Sequence, residues 1–409
     1  MRKVTFCLLS LLLVASLDAQ SRRRPGNAPP PPSNAPQQNN QQPAAGQPLA
    51  GLTAAQLDLF NDGLGDFTEV ETAADGLGPV FNERSCSACH TTPAIGGGSN
   101  TRLVTRFART VAGVYDALDN LGGSLMQDHA IGPADGCSHQ YAAEIVPPGA
   151  TFVVHRRSTP LFGLGFIDAT PDSDFVAMAA SQAARGDGVV GRVNMVDNIR
   201  AGMKTVGKFG WKSQVPTLLQ FSGDAYLNEL GITSGDFPHE SCPQGNCAEL
   251  SFNPAPGIND DGSGIEALRD FMSMLAPPPR GAQNRDTDDG AQTFDRIGCT
   301  SCHVANMRTG SSAIAALDRK TYHPYSDFLL HDMGTLGDGI VMGSSTTSEM
   351  RTAPLWGLRF VTAYLHDGRA STVEQAILAH EGQGKASRDR FNALERREKQ
   401  RLLVFLNSL

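Results

Sequence analysis

Polar and apolar positions divide the 409-residue chain into stretches of different character. Behind Arg2 and Lys3, Val4 to Ser16 is a nearly unbroken apolar run, and small residues cluster around Ala19. The run is shorter than the roughly 20 apolar residues that a membrane-spanning helix needs, so residues 1–20 are expected to be an export signal with its cleavage site. Residues 21–51, "SRRRPGNAPPPPSNAPQQNNQQPAAGQPLAG", hold almost no large apolar side chains. Such a segment cannot bury enough surface to offset its ordering entropy, which predicts a disordered linker and a folded part starting near Leu52.

Further on, apolar residues recur at helical spacing. "TDDGAQTFDRIGCTSCH" sets Ala291, Phe294 and Ile297 on one face. The closing "SRDRFNALERREKQRLLVFLNSL" predicts a terminal helix with Ser387 as its N-cap and an apolar face through Phe391, Leu394 and Leu402. In "ASTVEQAILAHEGQG" the pair Ser371 and Glu374 spells a capping box, and Gly382 ends the helix. Val373, Ala376, Ile377 and His380 then share the buried face of that helix. These patterns predict a mainly α fold with long irregular Gly/Pro-rich connections.

The formal net charge of -8 gives a nucleic-acid partner no electrostatic support. Of the eight cysteines, Cys7 lies in the signal and four form two pairs. Among Cys137, Cys242 and Cys247, the stretch "SCPQGNC" allows a short disulfide loop, with the pairing left open by the sequence.

The pairs are "RSCSACHTTP", with Cys86, Cys89 and His90, and "IGCTSCHVAN", with Cys299, Cys302 and His303. C-x-x-C-H is the attachment run of c-type haem: two thiols bond the porphyrin edge from one turn, and the next residue offers its imidazole to the iron. The rival is a tetrahedral zinc site built from both pairs, against which stand their separation in the chain and the histidine after each. Two covalently bound haem c groups are therefore expected.

The chain also repeats itself. "VFNERSCSACH" parallels "TFDRIGCTSCH", and "RSTPLFGLGF" from Arg157 parallels "RTAPLWGLRF" from Arg351. This predicts two haem-bearing modules from an internal duplication. The copies differ at one position: the offset that leads from Arg351 to His380 leads from Arg157 to Gly186, which ligates nothing. The second iron is expected to be held by His303 and His380. The first is held by His90, with its far side open or filled by His129, His139 or His155. Met333 is a rival ligand to His380.

"GLGPVFNERSCSACH", "RRSTPLFGLGFID", "GKFGWKSQVPTLLQF", "NELGIT", "YSDFLLHDMG" and "LHDGRASTVEQAILAH" together resemble the bacterial di-haem c-type oxidoreductases of the peroxidase type. These are relatives of the di-haem cytochrome c peroxidases and of the di-haem enzyme that matures the quinone of methylamine dehydrogenase. The resemblance runs from about Leu59 to the C-terminus. It implies two cytochrome c-like halves, residues 52–275 and 276–409, in an exported, periplasmic enzyme. Electrons from a small redox protein or a quinol-linked donor would enter at one haem, and hydrogen peroxide or another small oxidant would react at the other. His380 falls where the family carries the distal ligand of its C-terminal haem, usually methionine or tyrosine. The family's first-half "WDGR" tryptophan has no counterpart in "FIDATPDSDF", leaving Trp211 and Trp356 as the tryptophans able to lie between the haems. Peroxide cleavage needs an acid/base group and a positive charge, for which Asp168 and Arg157 are the candidates. An electron-transfer cytochrome, and an oxidase of a protein, thiol or organic substrate, are the alternative readings.

Overall fold

In the computed structural model residues 42–409 are described; the expected export signal and most of the expected linker lie outside the described residues. The helices are α1 (Ala54–Thr68), α2 (Leu164–Asp168), α3 (Asp172–Arg185), α4 (Leu218–Ala225), α5 (Ser263–Met274), α6 (Arg285–Arg296), α7 (Val373–Leu378), α8 (Lys385–Ala393) and α9 (Arg396–Leu406). Packing begins before Leu52: Leu49 is buried, its N–H donates to Met274 O at 2.8 Å, and Ala276 N–H donates to Gln47 O at 3.0 Å.

One helix crossing is built twice. Near α1 a side chain at Gly63 would run into the carbonyl of Ala267 on α5; near α6 a side chain at Gly290 would run into the carbonyl of Arg401 on α9. Four residues after each glycine comes a phenylalanine, Phe67 and Phe294, and four residues after each carbonyl comes another, Phe271 and Phe405. Residues four apart share a helix face, so each bare crossing point is flanked by an aromatic pair, Phe67–Phe271 at 4.8 Å and Phe294–Phe405 at 5.4 Å between ring centroids. The partner of Phe294 is thus Phe67, whereas the sequence parallel pairs it with Phe81. Phe81 instead stacks on His129 at 5.6 Å.

The fold is mixed rather than mainly α, with 35% helix and 14% strand. The difference lies chiefly in strands β1 (Leu103–Val111), β2 (Val114–Asp116), β3 (Ser124–Leu125) and β4 (Phe152–Arg157), where β1 pairs antiparallel with the other three. "LVTRFARTV" and "FVVHRR" are β-branched runs whose side chains alternate between faces, a two-residue period that a search at helical spacing passes over. Val104, Arg106 and Arg156 share one face of this sheet. Further hairpins pair β5 (Met195–Asn198) with β6 (Met203–Val206), and β7 (Leu330–Asp332) with β8 (Glu349–Arg351).

Two other helix boundaries differ from expectation. Thr372, not Ser371, caps α7, accepting from Gln375 N–H at 3.1 Å, while Ser371 bonds the Gln375 side chain. The terminal pattern breaks into α8 and α9 because Glu395 starts a new capping box with Glu398. The larger hydrophobic cluster holds Leu49, Phe271, Leu275, Ala276, Met307 and Phe328, so it runs through the boundary expected at residue 275. A smaller one joins Phe294, Phe391, Leu402 and Phe405.

Gly290→Ala is expected to force α6 and α9 apart and cost about 1–3 kcal/mol. The midpoint of denaturant unfolding reads this out, with Gly65→Ala, at an uncrowded position of α1, as the control that lacks the clash.

Candidate functional site

Both C-x-x-C-H runs form a single tight turn, Cys86–Ala88 and Cys299–Ser301. His90 N–H donates back to Cys86 O at 3.1 Å and His303 N–H to Cys299 O at 2.9 Å, which brings two thiols and an imidazole to one spot. The three expected iron ligands are then held alike. Nδ1–H of His90 donates to Gly97 O at 2.8 Å, that of His303 to Tyr325 O at 2.9 Å, and that of His380 to Ala376 O at 2.8 Å. A carbonyl on Nδ1 fixes the tautomer and leaves the Nε2 lone pair free, the usual arrangement of a metal-binding histidine. Burial lowers the pKa of all three, that of His303 to about 4, so each imidazole is neutral at pH 7. Phe67 and Phe294 back His90 and His303 at 6.0 and 6.1 Å.

Each turn opens onto its own cavity. The cavity beside Cys86, Cys89 and His90 encloses about 1100 Å³, its open mouth included; the one beside Cys299, Cys302 and His303 encloses about 2050 Å³. Val373, Ala376, Ile377 and His380 all line the second cavity, as their spacing predicts. Most of its remaining wall is apolar, with Phe294, Ile297, Leu355, Trp356, Leu402 and Leu406. The two cysteine pairs lie in different cavities, which removes the zinc alternative. Among the described residues the one cluster able to hold a metal is Cys302, Asp327 and His331. There both His331 nitrogens are taken, by Asp327 Oδ2 at 2.9 Å and Gln383 Oε1 at 2.8 Å. Its contacts with Asp327 and Cys302 hold the His331 proton up to about 11 despite burial, so this ring is an imidazolium and no ligand. Burial pushes the thiols of Cys86 and Cys299 up to about 12, keeping them neutral in their apolar surroundings.

Met333 also lines the second cavity, and both its Cε and the His380 ring crowd the space beside Gly384. Gly186 is the exposed C-terminal end of α3 and borders neither cavity. Among the described residues His90 is the sole histidine of the first cavity. His129 pairs with Asp128, His139 with Glu249, and His155 meets Thr105, all elsewhere. The remaining three cysteines behave as the sequence allows: Cys242 and Cys247 form a disulfide and Cys137 is buried and free.

The two catalytic candidates part company. Arg157 borders both cavities, its guanidinium donating to Ser99 O at 3.2 Å. Asp168 borders neither; its carboxylate accepts from Leu218 N–H at 3.2 Å at the start of α4. Asp168 is therefore a helix-capping carboxylate, and the acid/base groups lie elsewhere.

Sequence reasoning missed those groups. Gln214, Asp224 and Glu229 line the first cavity with Arg106 and Arg156. Burial pushes Asp224 up to about 6 and raises Glu229, whose Oε2 accepts from Asn82 Nδ2 at 2.8 Å. Gln214 lies in "GKFGWKSQVPTLLQF" and Glu229 in "NELGIT", while Asp224 falls between the two motifs. Trp211, in the first of these, borders both cavities, while Trp356 borders the second alone. Trp211 Nε1–H donates to Arg157 O at 2.8 Å, and Arg351 N–H donates to Trp211 O at 2.9 Å. Arg351 Nε also reaches Gly210 O at 2.6 Å.

The family model described as "Di-haem oxidoreductase, putative peroxidase" matches residues 149–409. A search of the curated proteins found no match. Among solved structures, hydrazine synthase of Kuenenia stuttgartiensis aligns at 16% identity and TM-score 0.26, covering 43% of this chain and 65% of that one. A MauG-like protein associated with microbial copper homeostasis aligns at 15% identity and TM-score 0.31, covering 61% and 89%. The diheme peroxidase BthA of Burkholderia thailandensis aligns at 14% identity and TM-score 0.31, covering 76% and 95%.

Behind Trp211 lies a buried charge cluster. Asp338 takes Arg156 Nη2 at 2.6 Å and Lys212 Nζ at 3.1 Å, and all three side chains are almost fully buried. Removing the one carboxylate strands two cations away from water, so Asp338→Asn is expected to lower stability by about 3–5 kcal/mol. Denaturant unfolding of the holoprotein measures it.

Proposed function

Since this chain belongs to the di-haem oxidoreductase family, we propose that it is a two-site peroxidase whose halves are chemically unequal. The observation that carries the reading is the contrast between the cavities. The second is lined by two neutral histidines, His303 and His380, and a mostly apolar wall; the first holds His90 as its one histidine, together with Glu229, Asp224, Gln214 and Arg106. Covalent attachment through Cys86 and Cys89, and through Cys299 and Cys302, would hold the two haems. Bound haem supplies an iron that exchanges single electrons and, where one axial side is open, coordinates a small oxidant.

Protein groups do the rest. His303 and His380 would hold the second iron through their free Nε2 atoms and suit it to electron passage. In the first cavity Glu229, anchored by Asn82, carries a proton between the oxygens of hydrogen peroxide, with Gln214 and Asp224 polarising the same space. Glu229 takes that proton as a carboxylate and returns it as the acid, a transfer that its raised pKa favours, while Asp224, pushed up to about 6, donates a hydrogen bond into the cavity when protonated. Trp211, between the cavities, is the side chain through which electrons pass from the second site to the first. Export to the periplasm agrees with the Cys242–Cys247 disulfide, and among the described residues no helix is long and apolar enough to cross a membrane. A small redox protein is the expected donor.

Electron paramagnetic resonance of the resting holoprotein is expected to show one low-spin and one high-spin or cyanide-binding iron. His380→Ala converts the low-spin centre, and Glu229→Gln slows the stopped-flow reaction with peroxide by about 100-fold while both haems stay bound. Two low-spin irons that ignore cyanide at rest and after reduction would falsify the reading. A carboxyl whose proton is held up to about 6 donates below that pH and not above it. The peroxide rate is accordingly expected to fall as pH rises through about 6, and Asp224→Asn to flatten that inflection.

A further inference from the structure

Arg106 stands out among the cations of the first cavity because its donors are unspent. The neighbouring arginines are committed: Arg156 to Asp338, Arg102 to Asp128 and the Asn82 carbonyl, Arg157 to the Ser99 carbonyl. Arg106 makes one side-chain hydrogen bond, Nη1 to Ser124 Oγ at 3.1 Å, and among the described residues it forms no ion pair. A guanidinium carries five N–H donors in a rigid fork, so most of this fork faces the cavity that Arg106 lines. Asp224 and Glu229 are near enough to act on its charge without being hydrogen-bonded to it. Burial lowers its pKa only to about 10, and it stays a cation at neutral pH.

Its delivery is also unusual. Arg106 projects from β1, and its sheet neighbour Val104 and, on β4, Arg156 border the same cavity. β1 precedes residue 149, where the family match begins. The matched family model therefore does not cover this position.

We propose that Arg106 is the anion-receiving residue of the first cavity, binding the oxygen of a small hydroperoxide that leaves as hydroxide and, in the resting protein, binding small anions such as fluoride or formate. The proposal rests on the peroxidase reading for its substrate. Reduction of a hydroperoxide breaks the O–O bond with two electrons, which the small redox protein donor supplies by way of the two sites. Glu229 takes the proton of the oxygen left behind and gives it to the departing oxygen, and the oxygen left behind, reduced by the two electrons, takes two protons from solvent, giving water and either a second water or an alcohol. Negative charge builds on the departing oxygen before the proton arrives, and a fixed guanidinium beside it lowers that barrier. Hydrogen bonds to charged groups of this kind correspond to about 10- to 100-fold in affinity or rate.

The test titrates the ferric holoprotein with sodium fluoride and with formate, read optically, and separately measures the stopped-flow rate with hydrogen peroxide. Arg106→Leu is expected to weaken fluoride binding and to slow peroxide by about 10- to 100-fold each, and Arg106→Lys to recover part of both. Haem content and both midpoint potentials should stay near those of the natural protein. Unchanged fluoride affinity in Arg106→Leu overturns the proposal. So does a lost haem or shifted first-site potential with fluoride affinity intact in Arg106→Lys, because Arg106 then pairs with the haem carboxylates instead. Arg106-dependent fluoride binding without any reaction with peroxide upholds the anion site and overturns the peroxidase reading.

Discussion

A hydrogen bond from Nδ1–H to a main-chain carbonyl is repeated at His90, His303 and His380, and the rest of the site depends on it. It takes the proton of a neutral imidazole to one side and leaves the other nitrogen facing a cavity. Burial removes the competing protonation. His331 shows what happens without it: Asp327 and Gln383 claim both nitrogens, and the ring becomes a cation that can only support its neighbours. Four histidines of one chain are thereby sorted into three bases and one acid by local partners alone.

The scaffold that presents these rings is economical. A glycine lets two helices touch backbone to backbone, and phenylalanines one turn further on brace the histidine of the attachment turn. The same device serves both halves, yet what surrounds each ring differs. In the C-terminal half a short helix adds His380 and apolar residues. In the N-terminal half a sheet and the α4 region add arginines and carboxyls. Likeness in the helices and unlikeness in the linings together make two sites of one design suited to different tasks.

Much of this was legible in the sequence where a motif is local. The attachment turns, the face shared by Val373, Ala376, Ile377 and His380, and the break at Gly186 all follow from spacing. What was not legible came from distant pieces of chain. Asp168 looked like an acid beside a repeated segment, but its nearest unsatisfied donor was the first amide of α4, 50 residues away. Glu229 and Asp224 were unremarkable in a helical stretch until folding set them opposite His90. The matching of Phe81 with Phe294 counted residues back from the cysteines, whereas the true equivalent is set by the helix crossing and falls on Phe67. The sheet escaped notice because its two-residue alternation was interrupted by turns and read as irregular connection.

The peptide around Trp211 has a mechanical side. Its indole is tied to the carbonyl of Arg157, its own carbonyl to the amide of Arg351, and the carbonyl before it to the Arg351 side chain. These arginines open the two repeated segments, so one loop is sewn to both halves at once. A hinge between these segments would have to break those hydrogen bonds, which hold the two cavities at a fixed spacing on either side of Trp211. Turnover in such a molecule would be gated by ligands and protons arriving at its ends, with the conducting middle always closed.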